Sequence, residues 1–208
     1  MMRELVLKMS MSLDGFVCGP NNEADWIFAS SGPDSTAWTM ETLHEAGLHI
    51  MGAHTFVDMK AWWPTSSEVY AAPMNEIPKA VFSRSGLANA KTTLTLEDAR
   101  RADTGTQGKR APHAQTWDQA QIVTGDMAEG IKRLKSQDGK LILAHGGAGF
   151  AQSLIATGLI DEYRLLVHPV AVGQGKPIFR KLHKSLRLKL RETKSFASGA
   201  IAQVYRPA

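Results

Sequence analysis

KLILAHGGAGFAQSLIATGLIDEYRLLVHPVAVGQGKPIF, residues 140–179, is the stretch whose reading decides the fold. It opens on an apolar run, Leu141 to Ala144, short enough for a buried strand. The run breaks at His145-Gly146-Gly147-Ala148-Gly149 and resumes at Phe150, where Phe150, Leu154 and Ile155 share one helical face. Gly158 is a natural helix stop, and Tyr163 to His168 reads as a second strand. Strand, glycine turn, helix, strand is a βαβ unit, which requires parallel pairing. A glycine turn feeding a helix presents free N–H groups and the positive end of a dipole, a common seat for phosphate. The spacing fits neither a Walker loop nor the three-glycine dinucleotide fingerprint. A nucleotide site of another type and a plain strand-to-helix turn both stand at this point.

Outward from that unit, the 208 residues favour one domain with a sizeable core. Hydrophobic residues make up 43% and charged residues 21%, the profile of an ordinary soluble protein. The net charge of +4 and the sequence pI of about 9.2 come from scattered bases. They suit an anionic small molecule better than a nucleic-acid surface. Cys18 stands alone, so no intrachain disulfide forms and a reducing compartment is expected. The first residues lack the apolar core of a signal peptide, and no run approaches the ~18 apolar residues of a membrane span. The expected location is the cytoplasm.

In chain order, Glu4 to Met11 reads as a strand interrupted at Ser12-Leu13-Asp14-Gly15, with Phe16-Val17-Cys18 continuing it after a bend. Asp14 is either a carboxylate placed at a core strand break or part of an ordinary Asp-Gly turn. Trp26, Ile27 and Phe28 are core or the apolar wall of a pocket beside that break. Asp34 or Ser35 caps a helix ending near Gly47, with Trp38, Leu43 and Ala46 inward. Leu48 to Met51 is a strand, and Gly52-Ala53-His54-Thr55 turns it into the helix Phe56 to Trp62. His54 and Thr55 both present donors at that helix start. Lys79 to Ser83 is a further strand, and Ser83-Arg84 just past its end suits a terminal phosphate. The polar segment from Arg100 to Gln119 reads as a long surface loop. Gln121 to Val123 is a brief strand before a helix reaching about Gln137, and two antiparallel strands, Leu186 to Thr193 and Ala200 to Tyr205, close the chain.

Several residue groups carry a family resemblance: Met11-Ser12-Leu13-Asp14-Gly15, Gly52-x-x-Thr55-Phe56, Val81-Phe82-Ser83-Arg84, Gly146-Gly147, Gly158-Leu159-Ile160-Asp161-Glu162-Tyr163, and the run from His168-Pro169-Val170 to Phe179. In this order the chain resembles the dihydrofolate reductase-like superfamily, and within it the C-terminal reductase domain of the riboflavin-biosynthesis protein RibD. The resemblance implies an α/β fold of three αβα layers. Its sheet has about eight mostly parallel strands, with the C-terminal strands antiparallel. It implies NADPH as hydride donor, a small-molecule substrate, no metal, and the homodimer found among relatives. The cofactor contacts it implies are Gly52, His54, Thr55, Ser83, Arg84, Gly146, Gly147, Ala148, Gly149 and Phe150. It also implies a cis peptide between Gly146 and Gly147. Asp14 falls beside the nicotinamide as the catalytic residue, with Trp26 and Asp34 on the substrate side.

Two departures qualify the match. Ala53 stands where such reductases often carry Arg, and Ala148-Gly149 follows the double glycine where dihydrofolate reductases often have Gly-Arg. No zinc-binding deaminase residues are present in this sequence. The expected activity is reduction of a small heterocyclic or sugar-derived carbonyl or imine. The rivals are a true dihydrofolate reductase, with Asp34 as its acid, and a nucleotide-binding protein without turnover.

Overall fold

The computed structural model describes residues 2–84, 86–88, 90, 109–180, 182 and 184–208. Apolar side chains at alternate positions are what make a strand bury two faces at once. Strand β1 (Leu5–Ser12) does so, with Leu5, Leu7 and Met9 toward one helical layer and Val6 toward the other. It lies in an eight-stranded sheet ordered β5-β4-β3-β6-β1-β7-β10-β9. The members are β3 (Ala46–Gly52), β4 (Lys79–Phe82), β5 (Gln121–Val123), β6 (Leu141–Ala144), β7 (Glu162–His168), β9 (Leu188–Ser195) and β10 (Ile201–Pro207). Pairing from β5 through β7 is parallel, and β10 runs antiparallel to both β7 and β9.

Helices α5 (Met127–Lys135) and α6 (Ala148–Ala156) cover one face, burying Ile131, Leu134, Ala151 and Leu154. Helices α2 (Pro33–His44), α3 (Ala53–Trp62) and α4 (Ala71–Glu76) cover the other through Leu43, Phe56 and Met74. Among the described residues no helix is long and apolar enough to cross a membrane.

Three expectations need correction. Phe16–Cys18 (β2) does not extend β1 in the main sheet; it pairs antiparallel with β8 (Lys176–Pro177). Gly15, at φ +88°, turns the chain there, and its carbonyl accepts from the Ile178 N–H at 3.0 Å. The helix expected to run to Gly47 ends at His44, because Ala46 and Leu48 pair with β6. Of the expected surface loop, 100–108 lies outside the described residues, whereas Ala114–Trp117 forms a 3-10 turn. Trp117 is fully buried there, donating through Nε1 to Asn75 Oδ1 at 2.8 Å. The surrounding polar residues hid an anchor whose burial removes a large aromatic surface from water.

Candidate active site

Two strand-to-helix junctions meet because β3 and β6 pair side by side, His49 opposite Leu143 and Ile50 opposite Ala144. The His145 N–H extends that register by donating to the Ile50 carbonyl at 2.9 Å. Just beyond, Thr55 Oγ1 donates to the Gly146 carbonyl at 2.9 Å, tying the α3 start to the double glycine. Gly147 sits at φ +92°, and a Cβ on it would come 2.4 Å from Thr55 Oγ1. A Cβ on Gly52 would lie 3.0 Å from the Phe150 Cβ. Both glycines therefore permit close approach as well as turning. The Gly146–Gly147 bond is trans, since no cis peptide occurs among the described residues. The positive φ of Gly147 makes the turn that the expected cis bond was to make.

Neither α3 nor α6 has a side-chain cap at its N-terminus. The N–H groups of the first turns, His54 and Thr55 in one and Ala148, Gly149 and Phe150 in the other, can meet an anion. Gly149 is exposed, and a Cβ there would find no atom within 4 Å. Helix α5 differs. The Asp126 side chain accepts from the Glu129 N–H at 2.9 Å, filling its N-terminus with a carboxylate. Capping thus separates two candidate phosphate seats from one that is closed. Phe150 itself is 8% exposed and packs against Phe82, ring centroids 5.7 Å apart, so its side chain belongs to the core. One strand further out, Ser83 donates to the Gly86 carbonyl while Arg84 is exposed.

At the end of β1, Asp14 is an acceptor for three donors: Ser12 Oγ at 2.6 Å, Val172 N–H at 3.1 Å and Gly173 N–H at 2.7 Å. The Ser12 hydroxyl, then the Gly173 N–H, hold its carboxyl well below the usual range, at about 2. Such a group is a fixed anion that clips the loop after β7 onto the β1 turn. Asp34 stands apart from the strand ends. Its carboxylate accepts from the Ala197 N–H and the Ser35 N–H, both at 2.8 Å, tying α2 to the β9–β10 turn.

A cavity of about 140 Å³ lies between the sheet and α2, α3 and α4. Leu43, Met59, Trp63, Met74 and Leu143 give it apolar walls, and Thr39, Thr42, Tyr70, Lys8 and His145 give it polar points. No carboxylate lines it among the described residues. Burial lowers the Lys8 amine to about 8 and the His145 imidazole to about 3, the latter further lowered by the Lys8 charge. His49, packed edge-on against His145 at 4.5 Å, is likewise driven well down by burial. Lys8 and His145 escaped the sequence reading, although a signal existed: a lysine at an inward position of an apolar strand, and a histidine directly before the double glycine. Trp26 lies on α1 (Trp26–Ala29), beside β7, with its ring 5.4 Å from that of His168.

A larger groove of about 400 Å³ runs between α2 and the outer strands, lined by Glu45, Glu162, Arg164, Arg206 and others. Arg164 pairs with Glu45 and Glu162, and Arg206 with Glu162 and Glu4. Its charges are mutually satisfied, and it lies at the opposite strand ends from the glycine junctions.

The model of the RibD C-terminal domain matches residues 3–202. An uncharacterized Bacillus subtilis protein, YyaP, is 27% identical over 203 residues, covering 98% of this chain and 94% of its own length. The crystal structure of a putative riboflavin biosynthesis protein from Shewanella sp. PV-4 superposes with a TM-score of 0.68 at 20% identity, covering 100% of this chain and 99% of that one. Dihydrofolate reductase from Enterococcus faecalis, complexed with NADP(H), superposes with a TM-score of 0.59 at 11% identity over 98% and 96% of the two chains. These structures share the fold: a mostly parallel eight-stranded sheet with an antiparallel C-terminal pair.

Proposed function

Because the chain belongs to the RibD C-terminal domain family, we propose that it is an NADPH-dependent reductase acting on a carbonyl or imine of a small heterocyclic or sugar-derived substrate. One observation carries this reading. A lysine amine in a closed apolar cavity lies at the same strand ends as two uncapped helix N-termini joined by a double glycine. Hydride acceptance leaves negative charge on the substrate oxygen or nitrogen, and a proton donor must be within reach.

The residues present fit the cofactor. Gly146, Gly147, Ala148 and Gly149 offer backbone N–H groups and a surface with no Cβ in the way. Gly52, His54 and Thr55 border the second seat, and exposed Arg84, with Ser83 beside it, is placed for the 2′-phosphate. When bound, NADPH supplies the hydride. Lys8 is the proton donor in our reading: its ammonium, with a pKa of about 8, loses a proton readily near neutral pH. The amine then recovers a proton from water. His145, neutral at that pH, orients the substrate. Asp14, already ionised, holds the loop at 172–173 as a positioning residue. Trp26 walls the substrate side. A single cysteine suits a reducing cytoplasm.

Dihydrofolate reduction is the weaker reading, since Asp34 is engaged with Ala197 and the cavity presents an amine where that reading needs a carboxylate. Single-turnover oxidation of bound NADPH, run against a panel of pyrimidine, pterin and sugar-derived carbonyls and imines, tests the proposal. We expect oxidation with at least one non-folate member that Lys8→Met abolishes. Tight NADPH binding without oxidation across the panel would instead mark a nucleotide-binding protein.

A further inference from the structure

At the C-terminal end of β7 two buried polar groups lack hydrogen-bond partners among the described residues: Trp26 Nε1 and His168 Nε2. His168 is 0% exposed, and the two rings meet edge-on, 5.4 Å apart at 73°. Buried polar groups are rarely left unpaired, so each such case calls for a ligand or water. The hydrogen bonds around Ser30 identify what each group offers. Ser30 Oγ lies 3.1 Å from the Trp26 carbonyl, which can only accept, so the single hydroxyl proton is directed there. His168 Nδ1, 2.6 Å from the same oxygen, must then carry its own proton and donate to it. That tautomer leaves Nε2 as a bare acceptor, while Trp26 Nε1–H can only donate.

The pair belongs to the same side of the sheet as the cavity. His168 is level with Ser12 and Arg164 with Lys8 in the β1–β7 register, so His168 stands two alternations along from the Lys8 row and faces the same way. The Lys8 charge reaches it and, after burial, helps keep the imidazole neutral, with a pKa of about 4. Its cover is light: α1 has four residues, buries none of them, and leaves Phe28 75% exposed.

We propose that Trp26 and His168 form a substrate subsite for a group that accepts and donates at once. Such a group is a lactam edge of a heterocycle or a sugar hydroxyl, accepting from Trp26 Nε1–H and donating to His168 Nε2. The subsite rests on the reductase reading of the neighbouring cavity, and it narrows the substrate class to molecules carrying such a group beside the reducible bond. Compounds that only accept, or whose lactam nitrogen is methylated, leave His168 Nε2 unmet and bind poorly.

The test uses the full-length ¹⁵N-labelled protein, titrated first with NADPH and then with uracil (a lactam without hydroxyls) or ribitol (hydroxyls without a lactam). The Trp26 indole N–H signal, assigned with Trp26→Phe, and the His168 ring nitrogens are followed. Trp38, Trp62, Trp63 and Trp117 act as internal references. We expect His168 in the Nδ1–H form and saturable movement of both signals with one probe, which tells lactam from hydroxyl. His168→Phe should weaken that probe about tenfold or more with NADPH affinity unchanged. If His168→Phe does not fold, Trp26→Phe supplies the same comparison through the His168 signals. An Nε2–H tautomer, no movement with either probe (a structural water only), or undiminished binding to a folded variant overturns the subsite. Probe binding without NADPH binding would sink the reductase reading while leaving the subsite standing. NADPH binding without probe binding does the reverse.

Discussion

Lys8 and Asp14 are the two ionisable residues of β1 and its turn, and burial assigns them opposite parts. The folded pKa of Lys8, about 8, lies below its ordinary 10.5. Between those values the unfolded chain binds more protons, so stability rises with pH through that window and the buried ammonium is a burden below it. Lys8→Met should therefore raise the melting temperature at pH 7 while lowering the single-turnover rate by about 10²–10⁴, the usual worth of acid catalysis. In the wild type the rate should fall as pH passes about 8, and the variant should lack that step. A variant that melts higher and still turns over normally would remove Lys8 from the chemistry. For Asp14 the folded value, about 2, lies below 3.8. Its stabilisation is present above pH 3.8 and is lost as pH falls toward 2. Asp14→Asn should lower the melting temperature at neutral pH, because an amide cannot accept from both the Val172 and Gly173 N–H groups. The gap between variant and wild type should close as pH approaches 2. Unchanged melting with a collapsed rate would instead return Asp14 to a direct catalytic part.

At the scale of elements, the strand-to-helix junctions divide into open and closed ones. Gly147→Ala forces a Cβ onto a positive-φ backbone, at about 1–3 kcal/mol, and into Thr55 Oγ1. NADPH affinity, followed by cofactor fluorescence, should fall about tenfold or more through lost N–H geometry. Asp126→Ala removes only the α5 cap and should cost about 1 kcal/mol of stability with NADPH affinity intact. Equal effects of the two substitutions on affinity would mean that capping does not select the phosphate seat. These junctions were legible from sequence because glycine, hydroxyl and strand end are local features: Leu141–Ala144, the double glycine and the following helix stand where the pattern put them. The cavity was less legible. His145 meets Lys8 only because β6 and β1 are neighbours in a sheet whose order no local pattern encodes. Asp34 looked like a pocket acid by its position in α2, and only the β9–β10 turn, some 160 residues later, reveals its partner.

At the scale of the whole molecule, the parallel βαβ core was readable and the outer edge was not. Strand β9 is exposed along nearly its whole length and carries Lys189, Arg191, Glu192 and Lys194, charges that suit a sheet edge and give no inward pattern to read. Trp117 was hidden by polar neighbours, although it closes the core beneath α3 against Phe56. The sheet brings the ends of β1, β3, β4 and β6 to one side, and the account's central claim is that this side holds NADPH and reads its 2′-phosphate through Arg84. The most direct measurement is a pair of titrations, NADPH and NADH, on the wild type and on Arg84→Ala. The account predicts saturable NADPH binding, weakened about tenfold to a hundredfold by the substitution, the worth of one charged hydrogen bond, with NADH binding unchanged. Absence of NADPH binding, or equal losses for both cofactors, would contradict it.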